Sequence, residues 1–442
     1  MSTLNKTTVV MLVPSLLAVL AGCSGADKPD QPKAQQTDTA VASNTAVPEP
    51  VTLKFLLSGG KLTDIEYERY FVNFLKEKLP YVTLERLQGT AGDIVASGVI
   101  PDIVYTDTDF YMPLKQLNLP FDMTDLIKKS NLDLGAFVPE TVEAVRKLDP
   151  DKKMTGVPFN RNVGALFYNK ELFDKFGIAY PKDSMTWDEV LELSRKMTRE
   201  QDGVSYIGWE PGFPDVIASP YTLPYVDPKT NKAVIDDPVY KKVFELMKQV
   251  YEQPGFVGPN NKWNYGPDGF MKDRNVAMIT EWMVKMVDDL ITGEEKGIGP
   301  KWDLVTIPNF PDKAGMGRHG VTHMLFVSQQ SKNKEQAMEV IKALTSREAQ
   351  ALQSAYGRIT VLNDPDIVKQ FGSQRPGLQG KNTAAIFKFK SSPISVPNLY
   401  DKDIQPIIRA IRPEIAINKK DVNTALREAQ EKADKKLAEL MK

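Results

Sequence analysis

Cysteine and histidine are nearly absent from this chain of 442 residues, which has Cys23 alone and two histidines, His319 and His323. A single thiol excludes an internal disulfide framework, a cysteine-built zinc cluster and, at this position, a cysteine nucleophile. The two histidines stand four residues apart, a spacing that places both on one face only in a helix. Glycines precede them and a β-type run follows, so they belong to a loop and a strand. We therefore expect no metal site.

An excess of charge of either sign is also missing. The formal net charge is -1, with 56 Lys and Arg against 57 Asp and Glu, so there is no electrostatic attraction to nucleic acid. The chain has no phosphate-binding G-x-x-x-x-G-K-[ST], no G-x-G-x-x-G after a strand and no G-x-S-x-G. We expect no nucleic-acid partner and no cofactor, and a small molecule or another protein fits better.

The only apolar run of any length lies near the start of the chain. Lys6 precedes the run 9–20, which is too short to span a bilayer comfortably and is typical of a signal peptide. It leads into Leu20-Ala21-Gly22-Cys23, and small residues before a cysteine resemble a lipobox. We predict a signal peptide over 1–22 and lipid attachment at Cys23. The alternative is an inert thiol inside a hydrophobic anchor.

A polar segment without hydrophobic periodicity follows the cysteine. It is made of Ser, Thr, Asp, Gln and Ala with Pro29, Pro32 and Pro48, a composition that cannot bury a core. The sequence predicts a flexible tether over 23–50. The predicted order of segments along the chain is therefore a lipid anchor, a spacer and then the folded part.

The rest of the chain is too long for one hydrophobic core, because cores stop growing at about 250–300 residues. Short β-type runs alternate with helix-period segments, which favours an α/β fold with a mainly parallel sheet. Thr186 and Glu189 form a capping-box pattern at one helix start. The predicted strands are 51–57, 82–87, 101–105, 165–168, 302–308 and 321–327, and the predicted helices include 64–78, one opening at 123–127, one from 186, 238–252 and 422–440.

The segment 158–175 joins a polar loop to a buried strand and a capped helix. The apolar run 165–168 predicts the strand, Asn169 can cap the next helix, and Gly177 ends it. Tyr168-Asn169 and Phe173 resemble the signature of the family 1 extracellular solute-binding proteins, the receptors of ABC importers. Two further motifs, 270–282 and 331–348, are similar to that family's patterns, although Asn275 stands where glycine is commonest.

The resemblance implies a two-lobed, periplasmic-binding-protein-like α/β fold of type II, with discontinuous domains joined by hinge segments. One lobe would contain 51–158 with 312–360, and the other 159–311 with 361–442. The implied function is to bind a small solute, most simply a carbohydrate or oligosaccharide, in the cleft between the lobes and to deliver it to a membrane permease. We expect a monomer outside the cytoplasm, anchored to the bacterial cell membrane by the lipid on Cys23.

A sugar needs apolar faces for its CH-lined ring and polar groups for its hydroxyls. Residues of these types near the predicted lobe crossings, loops and strand ends form the candidate site, and the resemblance favours the tryptophan that follows the strand containing Ala277-Met278. Core packing is the alternative for each aromatic, and an ion pair at the hinge is the alternative for the arginine at the first crossing. The candidates are Trp282, Asn160, Arg161, Trp209, Glu281, Trp263, Tyr265, Ser58, Asp107, Tyr356, Arg358 and Tyr400.

Two other classes of protein share some of these features. A secreted glycoside-acting enzyme would also use loop aromatics and carboxylates, and would need two carboxyl groups at the spacing of a catalytic pair. Acidic pairs such as Asp288-Asp289 and Glu294-Glu295 lie in polar sequence and predict a solvated surface. A lipid-anchored adhesion or structural protein would need no cleft at all.

Overall fold

The computed structural model describes residues 48–442. The predicted signal peptide, Cys23 and nearly all of the predicted tether lie outside the described residues. Within the described range, residues 49–442 form one compact unit. No helix in that range is long and apolar enough to cross a bilayer.

The strands form where short runs of β-branched and aromatic residues are bounded by glycine, proline or polar residues. The predicted strands are all present, and their ends differ from the predicted ones by two residues at most. The strands are β1 Val51–Leu57, β2 Val82–Arg86, β3 Ile103–Asp107, β4 Val157–Asn162, β5 Gly164–Asn169, β6 Arg199–Gln201, β7 Val204–Glu210, β8 Val276–Trp282, β9 Trp302–Thr306, β10 Met316–Gly317, β11 Val321–Val327 and β12 Lys390–Ser391.

The helices begin at the predicted caps. Thr186 and Glu189 form the reciprocal capping box, Asn169 caps the helix of the signature segment and Gly177 ends it at φ 65°. The helices are α1 Asp64–Tyr67, α2 Phe74–Lys78, α3 Ala91–Ala96, α4 Tyr111–Gln116, α5 Thr124–Lys129, α6 Pro139–Arg146, α7 Lys170–Phe176, α8 Trp187–Met197, α9 Pro214–Ala218, α10 Pro238–Tyr251, α11 Gly266–Met271, α12 Met283–Glu295, α13 Lys334–Leu344, α14 Arg347–Ala355, α15 Pro365–Lys369, α16 Asp401–Arg409, α17 Ile411–Ala416 and α18 Val422–Leu440.

A π-helical stretch, Glu68–Asn73, joins α1 to α2. The three pieces therefore form the single helix 64–78 that the sequence predicts. Short 3₁₀ turns connect several of the other elements, at Leu134–Ala136, Ser219–Tyr221, Pro259–Asn261, Pro311–Lys313, Pro376–Leu378 and Thr383–Phe387.

The first sheet has the strand order β2-β1-β3-β11-β4. Strand β1 pairs in parallel with β2 and β3, whereas β11 runs antiparallel between β3 and β4. Four of the five strands therefore share one direction, as the alternation of strands and helices predicts. The exception, β11, comes from a distant part of the chain and enters the sheet from the opposite end.

The second sheet has the order β6-β7-β8-β5-β9. Strands β7 and β8 are parallel, while β5 is antiparallel to both β8 and β9. This sheet is more mixed than the predicted one, because the hairpin of β6 with β7 adds a further antiparallel edge. The signature strand β5 lies inside the sheet, and its residues 165–168 are buried on both faces.

The buried apolar side chains form two separate clusters, one against each sheet. The first contains residues from 53–159 and 324–367, and the second residues from 165–310 and 378–437 together with Ile359. The predicted lobe boundaries at 158 and 360 stay a prediction. Phe159, Val361, Leu362 and Ile367 pack with the first cluster, so packing alone would extend the first lobe by a few residues at each of these two points.

Candidate ligand-binding cavity

A cavity of about 340 Å³ lies where the ends of the two sheets meet. Residues 108–110, which directly follow β3, contribute one side. Residues 215–225, Trp282 at the end of β8 and residues 393–409 contribute the other, and Arg318 and His319 come from the segment that leads into β11. Ligands of open α/β sheets bind at strand ends of this kind.

Phe110 supplies an accessible aromatic surface in this cavity. Its side chain is 48% exposed, and Lys402 lies 4.6 Å from the ring centroid. Partial burial lowers the pKa of that lysine. A flat apolar ring beside an ammonium group offers both surfaces that a sugar needs, namely a face for CH groups and a donor for oxygen atoms.

The position of Phe110 is fixed by Asp107, which is only 4% exposed. The Asp107 carboxylate accepts the backbone N–H groups of Asp109 and Phe110 at 3.0 and 2.9 Å. Burial, with the charge of Asp109 as a second cause, raises the pKa of Asp107 to about 7. Gly59, at φ 96°, passes so close that a Cβ there would come within 2.7 Å of the Phe110 Cβ, so the first loop supports the aromatic from behind.

Trp282 and Arg318 form a stacked pair in the wall. The central guanidinium carbon of Arg318 lies 3.3 Å from the centroid of the Trp282 ring, and His319 meets the same ring edge-on at 5.8 Å. Burial lowers the pKa of Arg318 to about 10. One face of Trp282 is therefore occupied by this cation.

The other charged groups of the cavity wall differ in whether their oxygen atoms already accept hydrogen bonds from the protein. Asp215 accepts two hydrogen bonds from Arg409, at 2.9 and 2.6 Å. Asp401 accepts the backbone N–H of Asn398 on one oxygen at 2.7 Å, and its buried Oδ1 has no partner among the described residues. Burial, followed by the charge of Asp109, raises the pKa of Asp401 to about 6. Asp401 therefore keeps hydrogen-bonding capacity that a ligand could use.

A family model matches residues 82–351, which is more than half of the chain, and it describes bacterial extracellular solute-binding proteins. The chain belongs to this family. The family is one of binding proteins, and its description places its members outside the cell.

Among curated relatives, this solute-binding protein is similar to the putative ABC transporter periplasmic-binding protein YcjN of Escherichia coli, at 28% identity over 101 residues. It is also similar to the melibiose/raffinose/stachyose-binding protein MelE of Bacillus subtilis, at 22% over 252 residues. These matches cover 23% and 57% of this chain. They span 23% of YcjN and 53% of MelE, so the chain matches only about half, or less, of the length of these relatives.

The fold is shared with solved structures at higher coverage. The ABC substrate-binding protein Lmo0181 of Listeria monocytogenes, solved in complex with cycloalternan, superposes with a TM-score of 0.70 at 16% identity, over 88% of this chain and 100% of that one. This similarity establishes the two-lobed α/β binding-protein fold that the sequence predicts.

Of the twelve residues predicted from the sequence, Trp282 lines the cavity. Three other aromatic candidates lie elsewhere in the solute-binding protein. Trp209 is fully buried and stacks on Trp187, with ring centroids 5.2 Å apart. Tyr265 is 6% exposed and donates its hydroxyl to the Phe256 carbonyl, and Trp263 packs against the second cluster. Core packing explains the positions of these three aromatic rings, so they are not part of the proposed site.

The candidates at the predicted lobe crossings form buried or partly buried contacts and do not line the cavity. Asn160 contacts the ring of His323 through its side-chain oxygen, and burial lowers the pKa of that histidine to about 3. Arg161 donates from Nε to the Thr360 carbonyl at 3.0 Å. Arg358 forms a two-bond ion pair with Glu66, at 2.6 Å for each bond. These contacts hold the crossings together.

The remaining candidates do not line the cavity. Ser58 donates its backbone N–H to the Tyr105 carbonyl, Tyr356 stacks with Arg69 at 3.7 Å, and Glu281 pairs with Lys285. Two candidates are next to residues that do line it: Asp107 precedes 108–110, and Tyr400 precedes Asp401 and Lys402.

Sequence reasoning did not find Phe110, Arg318 or Asp401. Phe110 could have been found from the sequence, because it is a bulky apolar residue in a polar loop directly after a strand. Ligands of open α/β sheets bind at strand ends of this kind. Arg318 lies between Gly317 and His319 without periodicity, and only the pairing of β11 brings it to the cavity. Nothing in the local sequence distinguishes Asp401 from a helix-start acid.

We expect Phe110→Ala to weaken ligand binding by about 1.5–3 kcal/mol, or roughly ten- to hundredfold in Kd, because the ring gives a ligand its main apolar surface. Isothermal titration with the tightest-binding oligosaccharide of a sugar panel measures the change. Ile298→Ala is the matched control, because Ile298 is 68% exposed and lies outside the cavity. An unchanged Kd for Phe110→Ala would remove the ring from the site.

Proposed function

We propose that this chain is the receptor of an ABC importer. It binds a carbohydrate or oligosaccharide between its two lobes, closes over it by hinge motion and delivers it to a membrane permease. It works as a monomer, makes and breaks no bond in the solute, and is held at the outer face of the cell membrane by a lipid on Cys23.

The observation that carries this proposal is the composition of the cavity wall. Residues 108–110 extend from the first sheet, whereas Trp282 ends β8 of the second. Asp215 and Asp401 lie on α9 and α16, two helices that pack with the second cluster. A ligand that touches both sides stabilises the form in which they are close together. Binding and closure are then linked, because a ligand shifts a conformational equilibrium only by its difference in affinity for the two forms.

The connections between the two clusters favour hinge motion. The chain passes from β4 to β5 through Val163 alone, returns between β9 and β11, and crosses once more after α15. Few-residue crossings of this kind absorb the backbone rotation of hinge closure. At the rim, Glu140 pairs with Lys390 at 2.9 Å and Lys61 with Asp289 at 3.6 Å. Solvent-exposed ion pairs are weak, so they can break and reform.

The choice of a sugar rests on the chemistry of the wall and on the relatives. Phe110 offers an apolar face, and Asp109, Asp401 and Ser395 offer oxygen atoms for hydroxyl groups. MelE is named for melibiose, raffinose and stachyose, and Lmo0181 was solved with cycloalternan. The glycoside-acting enzyme gains no support from Asp215, because both of its oxygens already accept hydrogen bonds from Arg409.

A thermal-shift screen followed by isothermal titration tests this function. The panel contains neutral and acidic mono- and oligosaccharides, polyamines, short peptides and metal ions. We expect at least one carbohydrate to raise the melting temperature by mass action and to be recovered unaltered after incubation, as judged by mass spectrometry. A shift confined to polyamines, peptides or metals, or turnover of the bound sugar, would contradict the proposal.

Lipid attachment is tested at its own residue. We expect the full-length chain, expressed in a bacterium fed an alkyne fatty acid, to incorporate the label, and Cys23→Ala to incorporate none. Ser24→Ala is the matched control because it changes the adjacent residue and keeps the thiol, so it should be labelled like the unchanged chain. Label on Cys23→Ala, or none on the unchanged chain, would refute the anchor.

A further inference from the structure

Three arginines in the described part of the chain are almost fully buried: Arg318 at 6%, Arg358 at 4% and Arg412 at 3% exposed. Two of them have a carboxylate partner. Arg358 binds Glu66 through two hydrogen bonds of 2.6 Å, and Arg412 donates to Glu210 at 3.1 Å. Arg318 has none, and its Nε and Nη1 find no hydrogen-bond acceptor among the described residues. A buried charge without a partner is costly.

Three carboxylates act on the charge of Arg318, and two of them, Asp215 and Glu281, are committed to other groups. Asp215 is held by both hydrogen bonds of Arg409. Glu281 pairs with Lys285 and accepts the backbone N–H of Trp282. Asp109 lies 3.9 Å from the His319 ring nitrogen. The protein therefore places a guanidinium in the cavity wall and leaves its charge without a dedicated counter-ion.

The guanidinium is also held in one plane before any ligand arrives. Trp282 covers one face at 3.3 Å. Behind the side chain, Gly164 leaves so little room that a Cβ there would come within 3.2 Å of the Arg318 Cδ. A planar, fixed guanidinium is suited to a carboxylate, because its N–H groups match the two oxygens in a two-bond arrangement.

We propose that the solute is an acidic sugar, a uronic-acid-containing mono- or oligosaccharide whose carboxylate pairs with Arg318. This inference rests on the proposed function and names the substrate class of the same cavity. The ring of the sugar lies against Phe110, and its hydroxyl groups donate to Asp109 and Asp401. A neutral sugar would leave the Arg318 charge buried and unpaired.

The acidic residues of the wall are compatible with an anionic ligand. Arg409 neutralises Asp215. Burial raises the pKa of Asp401 to about 6, so this carboxylate takes up a proton beside a bound anion more readily than an ordinary aspartate. Lys402 adds a positive charge at the Phe110 ring. Arg318 and Lys402 are therefore the two cations of the wall that have no full ion-pair partner among the described residues.

The test compares matched pairs of sugars on the unchanged protein, so that it does not depend on a variant folding. Oligosaccharides of two to four units containing glucuronate, galacturonate or mannuronate are titrated beside their carboxyl-reduced counterparts, which differ only at C6. We expect at least one acidic member to bind and its reduced counterpart to bind roughly ten- to hundredfold more weakly, as a charge-assisted hydrogen bond would give.

A substitution then assigns the difference to Arg318. We expect Arg318→Gln to bind the acidic sugar and its reduced counterpart with nearly equal affinity, and Arg318→Lys to retain part of the preference because it keeps the charge and loses the planar fork. Arg347→Gln removes a charge at an exposed ion pair with Asp364, outside the cavity, and should keep the full preference. Circular dichroism and the melting temperature check the fold of each variant.

The outcomes separate this inference from the function on which it rests. Binding of neutral sugars only, or equal binding of the acidic and reduced members, overturns the acidic-sugar assignment and leaves the sugar receptor intact. A preference for the acidic member that survives Arg318→Gln in a folded variant overturns the role of Arg318. If no carbohydrate of either kind binds while another solute does, both the inference and the proposed function are wrong.

Discussion

The antiparallel insertion of β11 between β3 and β4 is the contact on which the rest of the structure depends. In its register His323 lies opposite Asp107, so the residues just before β11 lie beside the residues just after β3. Arg318 and Asp109 therefore reach the same cavity although more than 200 positions separate them in the chain. The same pairing completes the first sheet with a strand that follows the second sheet in the chain, so the first buried cluster draws on two separate parts of the sequence.

This arrangement separates groups that support the site from groups that a ligand can touch. Asp107 accepts backbone N–H groups, Asn160 contacts His323, and Arg358 pairs with Glu66, so these groups are held by the protein itself. Phe110 and Arg318 keep accessible surface or unused donors. Several buried polar atoms of the described residues lack a partner. Those of Arg318 and Asp401 belong to residues that line the cavity, where a ligand could pair with them.

Local patterns predicted the elements well, because strands, caps and helix ends depend on neighbours in the chain. Examples are the Thr186 and Glu189 capping box and the Gly177 helix end. The cavity was harder to predict, since its residues come from separate segments spread between positions 108 and 409. The expectation that ligands bind at strand ends pointed to Asp107, three residues from Phe110. By contrast Trp209, which the sequence suggests as a binding residue, is buried in the hydrophobic core. The lack of a carboxylate partner in the structure, rather than any local sequence signal, picked out Arg318.

The central claim is that two lobes close around a solute, and the distance between the lobes tests it most directly. Cys23 is the only cysteine, so in a Cys23→Ser chain any cysteine added by substitution is a unique dye site. Lys128→Cys in α5 and Lys432→Cys in α18 place one exposed site on each lobe, for one donor dye and one acceptor dye. Saturating sugar should raise the energy-transfer efficiency, and calorimetry on the same sample confirms that the sugar is bound. An efficiency that stays constant while the sugar binds would contradict the account.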